Sequence, residues 1–184
     1  MIFPKKDDSL ILMVDFQNGF LKVFKEKIRI SLENNMQLLI ETAKFYEIPV
    51  VVMEQNNEKL GNTTENIQKT LGELYKPCNK FFFSGWKDKT IRTLLQDSKK
   101  NNIILCGIET HICVLQTAID LIENGFNVYA VSDTIGSRFK KDWNAGLNKL
   151  KDINVNMLTV EMLLFAFLER SDTKDFKHFL RFLK

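Results

Sequence analysis

Residues 101–125 read NNIILCGIETHICVLQTAIDLIENG, and this stretch decides the fold. Ile103, Ile104 and Leu105 form an apolar run closed by Gly107, which suits a short strand covered on both faces. Residues 108–110 turn the chain. From His111 to Asn124 the apolar residues Ile112, Leu115, Ile119 and Ile122 recur at helical spacing. Thr110 stands at the N-cap position, and Gly125 stands where a helix-ending glycine is expected.

Cys113 is thereby placed in the first turn of a helix that begins just past the carboxyl end of a strand. Free N–H groups and the positive end of the helix dipole favour thiolate over thiol there. The same N–H groups suit an oxyanion formed on a substrate carbonyl. Cys113 is a candidate nucleophile on placement, although a free cysteine is more often a small core hydrophobe. Cys106, inside the strand, and Cys78, beside a proline, lack this setting and read as structural.

Working outward, residues 9–14 (SLILMV) form a second apolar run that ends at Asp15 and opens into the polar loop DFQNG. Leu32, Met36, Leu39, Ile40 and Ala43 mark an amphipathic helix over 30–46. Pro49 precedes a strand at 51–53 that ends at Glu54 and Gln55. Residues 56–79 are polar and irregular, with a short helix over 67–74. Phe81–Phe83 are expected as a third strand, followed by a turn at Gly85 and Trp86 and a helix over 89–98. A strand at 127–131 ending at Ser132 and Asp133, a helix over 141–150, a strand at 155–158 and a helix over 161–169 continue the alternation. The tail, 174–184, places Phe176, Phe179, Leu180 and Leu183 on one helical face. Strands alternating with helices of this length define an α/β domain with a parallel sheet.

Size and composition narrow the class. The 184 residues, with 45% hydrophobic and 27% charged residues, fit one ordinary soluble globular domain spanning 1–184. A net charge of +3, scattered along the chain, gives no footprint for nucleic acid. No apolar stretch reaches the roughly 20 residues of a membrane span. The opening MIFPKKDDSL is too short and polar for a signal peptide. Three unevenly spaced cysteines make no disulfide framework, so a reducing, cytoplasmic setting is expected. Residues 160–168 (VEMLLFAFL) are apolar almost all round, which calls for burial in a core or against a partner, and a homo-oligomer, a dimer or larger, is expected.

In parallel α/β sheets ligands bind beyond the carboxyl ends of the strands. That rule gathers Asp15, Glu54, Gln55, Lys80 and Cys113 on one rim. Asp15-Phe16-Gln17-Asn18-Gly19-Phe20, Lys80 ahead of Phe-Phe-Phe-Ser, and Gly107-Ile108-Glu109-Thr110-His111-Ile112-Cys113-Val114 together resemble the isochorismatase-like cysteine hydrolases. The resemblance covers almost the whole chain, with three motifs in the right order. It implies a three-layer α/β sandwich, Rossmann-like, around a six-stranded parallel sheet. It also implies a catalytic triad of Asp15, Lys80 and Cys113, a cis peptide between Ile108 and Glu109, and an oxyanion hole from the Glu109 and Cys113 amides.

Met53-Glu54-Gln55 followed by Lys59-Leu60-Gly61-Asn62-Thr63 is similar to a stretch of the subgroup holding YcaC-like and isochorismatase domain-containing proteins. Nicotinamidases carry an Asp-x-His metal motif on this segment. Here Gln55-Asn56-Asn57 stands instead, and the only histidines are His111 and His178, so neither a metal nor another cofactor is expected. Gln17, Gln55, Phe20 and Trp86, with Phe139, are candidate liners of the substrate site, and His111 and Glu109 flank the nucleophile. The implied activity is metal-independent hydrolysis of a C–N bond in a small amide-type molecule through a thioester. Alternatives are a catalytically idle oligomeric binding relative, vinyl-ether hydrolysis run by Asp15 and Lys80 alone, and a redox-sensing Cys113.

Overall fold

A computed structural model describes residues 3–183. Met1, Ile2 and the last residue of the expected tail helix, Lys184, lie outside the described residues. Six strands, β1 Ser9–Val14, β2 Val50–Gln55, β3 Cys78–Lys80, β4 Asn102–Ile108, β5 Asn127–Gly136 and β6 Asn156–Leu158, form one sheet in the order β3-β2-β1-β4-β5-β6. Every pairing is parallel. The helices are α1 Asn18–Leu21, α2 Glu26–Phe45, α3 Asn57–Leu60, α4 Glu65–Leu71, α5 Lys89–Asp97, α6 Leu115–Glu123, α7 Lys140–Asp152, α8 Val160–Leu168 and α9 Lys174–Phe179.

The period-two alternation of a strand sends each run to both faces. Ile11, Met13, Ile104 and Cys106 pack with Leu32, Met36, Leu39 and Leu163 from α2 and α8. Leu10, Leu12, Ile103 and Leu105 pack with Ile91, Ala118, Leu121 and Leu150 from α5, α6 and α7. Two apolar layers thus sandwich the sheet, as the resemblance implied. Strand order reverses between β1 and β4, and the crevice above that switch point is where a ligand belongs. Gly107 is required there. It has φ 117°, and a Cβ would run into the Val14 carbonyl oxygen of β1.

Several expectations need correction. The third strand is Cys78–Lys80, because only these residues pair with Met53–Gln55; Phe81, Phe82 and Phe83 follow it and are more than half exposed, at 68%, 54% and 55%. β5 continues past Asp133 to Gly136, because after an irregularity the chain pairs again with Gly107 and Ile108. Thr110 is no N-cap: it opens a π-helical turn, Thr110–Val114, and its buried hydroxyl has no hydrogen-bond partner. Gly125 does end α6, at φ 86°.

The all-apolar α8 is covered within the chain. Val160, Leu163 and Phe167 enter the core under α2, while Leu164 and Leu168 meet Phe179 of α9. The tail thus takes the place expected of a partner, leaving Met162 and Phe165 exposed at 46% each. Among the described residues no helix is long and apolar enough to cross a membrane.

Candidate active site

Asp15 leaves β1 in the left-handed region, φ 48°, a conformation costly for a residue with a Cβ. Its amide is held by the Met53 carbonyl at 3.0 Å. The carboxyl group turns into the crevice, where it is fully buried. Lys80, the last residue of β3, reaches it from the sheet edge and is also fully buried. Its Nζ donates to Asp15 Oδ2 at 2.8 Å, Gln55 Oε1 at 2.7 Å and the Phe82 carbonyl at 3.1 Å. Three donors meet three acceptors, which is the whole capacity of an ammonium.

Cys113 arrives from the opposite side, in the turn after β4, and is almost fully buried. Its thiol is near enough to the Asp15 carboxyl for each to act on the other, and Oδ1 of that carboxyl has no hydrogen-bond partner among the described residues. Burial, and then the Asp15 charge, pushes the Cys113 thiol up to about 12; Lys80 and a hydrogen bond from the Glu109 backbone act the other way. The cysteine therefore rests as a thiol at neutral pH. This corrects the expectation of a helix-stabilised thiolate: desolvation outweighs the dipole when the helix start is closed to water. Burial likewise raises the Asp15 carboxyl above the usual range, opposed by the charge and hydrogen bonds of Lys80 and by the thiol.

The peptide between Ile108 and Glu109 is cis. The Glu109 side chain leaves the crevice. Its Oε1 accepts from the Arg138 amide at 3.4 Å, and its Oε2 lies 3.6 Å from His111 Nδ1. His111 Nδ1 is also 2.9 Å from Ser137 Oγ. Both residues flanking the nucleophile are thus anchored to the end of β5.

The structure brings Asp15, Lys80, Gln55 and Cys113 together and sends other expected liners elsewhere. Gln17 stitches loops: its amide donates to the Gln55 and Gly61 carbonyls at 3.1 and 2.6 Å and accepts from the Gln55 amide at 2.7 Å. Gln55 spends its side chain on Lys80 and on the Phe81 carbonyl, at 3.0 Å. Phe20 packs on the α2 side of the core. Trp86 turns away, edge-on to Phe126 with ring centroids 5.5 Å apart, in a groove shared with Leu95, Lys99 and Asn124. Phe139 is exposed beside the Arg138 guanidinium. Among the described residues, no group of three or more His, Cys, Asp or Glu side chains is placed to hold a metal ion.

Two residues that the sequence reading named without a role are buried polar groups of the rim. Glu54, fully buried, accepts from the Thr63 amide and hydroxyl at 2.8 and 2.9 Å and from the Tyr75 hydroxyl at 2.8 Å, tying the 56–75 segment to the sheet; its charge also raises Asp15. An apolar strand ending in Glu was the available signal. Ser84, which closes the motif that starts at Lys80, is also buried, and its hydroxyl has no hydrogen-bond partner among the described residues.

A parallel α/β protein with a buried acid, lysine and cysteine above its switch point defines a class, and comparison with known proteins supplies the family. The model of the isochorismatase domain matches residues 9–162. The chain is 31% identical over 179 residues to isochorismatase domain-containing protein 1 of Salmo salar, covering 96% of this chain and 61% of that protein, so it spans about three-fifths of that relative's length. Among solved structures, the MAR1 ribonuclease of Caenorhabditis elegans superposes with a TM-score of 0.88 at 29% identity, over 98% of this chain and 92% of the other. The YcaC gene product of Escherichia coli, described as an octameric hydrolase of unknown specificity, shares the fold with a TM-score of 0.85 at 18% identity, over 93% and 84% of the two chains. The chain belongs to the isochorismatase family.

Proposed function

We propose that the protein is a metal-independent cysteine hydrolase that cleaves the C–N bond of a small amide. The observation that carries this reading is the closed ion pair between Lys80 and Asp15, 2.8 Å long and without solvent access, next to the Cys113 thiol. A neutral thiol is a poor nucleophile and needs a base at hand. Asp15 takes the thiol proton as sulfur attacks the carbonyl carbon. A C–S bond forms, and the carbonyl electron pair moves to oxygen, facing the Glu109 and Cys113 amides. Collapse expels the amine, which receives the proton from Asp15. Water then attacks the thioester, again giving its proton to Asp15, and the C–S bond breaks to return the thiol and a carboxylic acid. Lys80 holds Asp15 through the 2.8 Å bond, and its charge works against the burial that raises the Asp15 carboxyl.

A panel of small amides and ureas, with Cys113→Ala as control, tests the reading; accumulation of an acyl adduct on Cys113 supports it. Substantial turnover by Cys113→Ala would overturn covalent catalysis and favour vinyl-ether chemistry run by Asp15 and Lys80. No adduct and no turnover across the panel would favour the idle binding relative. RNA belongs in the panel because of the name carried by the Caenorhabditis elegans structure. Turnover is expected to survive EDTA, since His111 and His178 share no donor cluster; loss in EDTA with recovery on zinc would reject metal independence. A dimer or larger assembly is part of the proposal, read by light scattering at micromolar concentration.

A further inference from the structure

Residues 80–85 run from the cation of the site to the helix of the nucleophile. At one end the Phe82 carbonyl accepts from Lys80 Nζ at 3.1 Å, and the Phe81 carbonyl accepts from Gln55 Nε2 at 3.0 Å. At the other end the Gly85 amide donates to Thr117 Oγ1 at 3.0 Å. Thr117 lies four residues after Cys113 and therefore on the same helical face. Gly85 fits there because a Cβ would collide with the sulfur of Met53. The backbone of this segment is thus fixed at both ends of the triad. Its side chains divide into two kinds. Phe81, Phe82 and Phe83 are each more than half exposed, an apolar patch that a lone chain rarely presents without use. Ser84 is fully buried, and its hydroxyl has no partner, a state that costs free energy until something bonds to it.

We propose that residues 80–85 form the substrate-selecting wall of the site, and that it selects amides whose acyl chain is apolar, aromatic or branched, the Ser84 hydroxyl meeting the amide group. The inference rests on the amidase reading and narrows its substrate class. Small hydrophilic amides and urea would leave the phenylalanine patch bare and gain nothing from it. An apolar acyl chain seated on the patch leaves water as the carbonyl approaches Cys113, and contacts of this size separate substrates by about tenfold or more.

The test is kcat/KM for acetamide, hexanamide and phenylacetamide with wild type, the triple variant Phe81→Ser/Phe82→Ser/Phe83→Ser, and Ser84→Ala. Wild type should prefer the two apolar amides over acetamide by at least about tenfold, and the triple variant should bring that ratio to near unity. The exposure of the three rings keeps the triple variant folded, which its thermal midpoint checks. Ser84→Ala should lower kcat/KM severalfold on all three amides without lowering the thermal midpoint, because it removes only a hydroxyl with no internal partner. Equal wild-type rates on the three amides, a ratio untouched by the triple variant, or unchanged kcat/KM in Ser84→Ala would overturn the inference. An untouched ratio accompanied by a change in oligomeric mass would reassign the patch to a subunit contact. Absence of turnover and of any Cys113 adduct with all three amides would sink the amidase reading itself, a result distinct from turnover without preference.

Discussion

The two ends of the sheet treat polar groups in opposite ways. At the amino end Asp8 accepts from the Asn101 amide at 2.9 Å, from Asn101 Nδ2 at 3.0 Å and from Asn102 Nδ2 at 3.4 Å, while Asn127 Nδ2 bonds Asn102 Oδ1 at 3.1 Å. Asp8 keeps contact with solvent. At the carboxyl end Asp15, Lys80, Glu54 and Glu109 are all closed off from water, and Asp15 Oδ1, Glu54 Oε2, Glu109 Oε2, Ser84 Oγ and Thr110 Oγ1 have no hydrogen-bond partners among the described residues. Buried charges with unfilled hydrogen-bonding capacity weaken a fold. The first end joins strands; the second spends stability on the groups to which the proposed hydrolysis assigns proton transfer. Variants at the carboxyl end should therefore act on turnover, and variants at the amino end on stability.

The largest effect is expected at Cys113. Cys113→Ala and Cys113→Ser should cut amide turnover by at least about a thousandfold while leaving the thermal midpoint nearly unchanged. A midpoint falling in step with activity would erase the contrast between the ends. Asp15→Asn comes next: it keeps the shape of the side chain but removes the base, and turnover should fall by roughly a hundredfold or more. Lys80→Met raises the thiol further, since an adjacent cation favours thiolate. It also strands the buried Asp15 charge, so of these variants it alone should cost both activity and a few kcal/mol, about 3 to 5 by the usual scale for a broken buried pair. Chemical denaturation alongside kinetics separates the two losses.

The resting state of the thiol gives a pH test. With Cys113 pushed up to about 12, its alkylation by iodoacetamide should climb about tenfold per pH unit from pH 7 to 9, without a plateau. The sign for stability follows from the same shift. A thiol raised above its ordinary 9.0 favours the folded state fully below pH 9, and that contribution fades as pH rises toward about 12. A plateau in alkylation below pH 8 would mean a preformed thiolate and a site more open than its burial implies.

Much of this was legible in the chain. The runs ending at Asp15 and Gly107, and the helical spacing after His111, gave β1, β4 and the turn carrying Cys113, since burial on both faces leaves a continuous apolar signature. The rule that ligands gather beyond strand ends then collected Asp15, Glu54, Gln55, Lys80 and Cys113 on one rim, and only the family resemblance singled out three of them. Phe81–Phe83 misled because three aromatics satisfy strand preference, whereas strand membership here is decided by pairing with Met53–Gln55, which no local pattern encodes. Trp86 misled because direction is a tertiary matter: Lys80, six residues earlier, reaches Asp15, but the Trp86 ring turns to Phe126. The thiol's state was hidden for the same reason. A helix start lowers a cysteine only where water or charge can reach it, and burial is not written in the spacing.

The smallest effect belongs to the amino end. Asp8→Ala removes the acceptor for two Asn101 donors and one from Asn102, just where β1 and β4 begin side by side. Each such bond contributes on the order of 1 kcal/mol net or less, and water can replace part of the loss because Asp8 and Asn101 are not sealed. The expected cost is about 1 to 2 kcal/mol, a fall in thermal midpoint of about 2 to 8 °C for a chain of this length. Asp8→Asn, which keeps one acceptor oxygen, should lose about half as much. Neither variant should move kcat/KM, because Asp8 and Asp15 sit at opposite ends of β1 and the intervening strand is held on both sides by ladder bonds. A drop in kcat/KM for Asp8→Ala at a temperature where it remains folded would mean that the two ends are coupled through β1, and the division of labour between them would have to be given up.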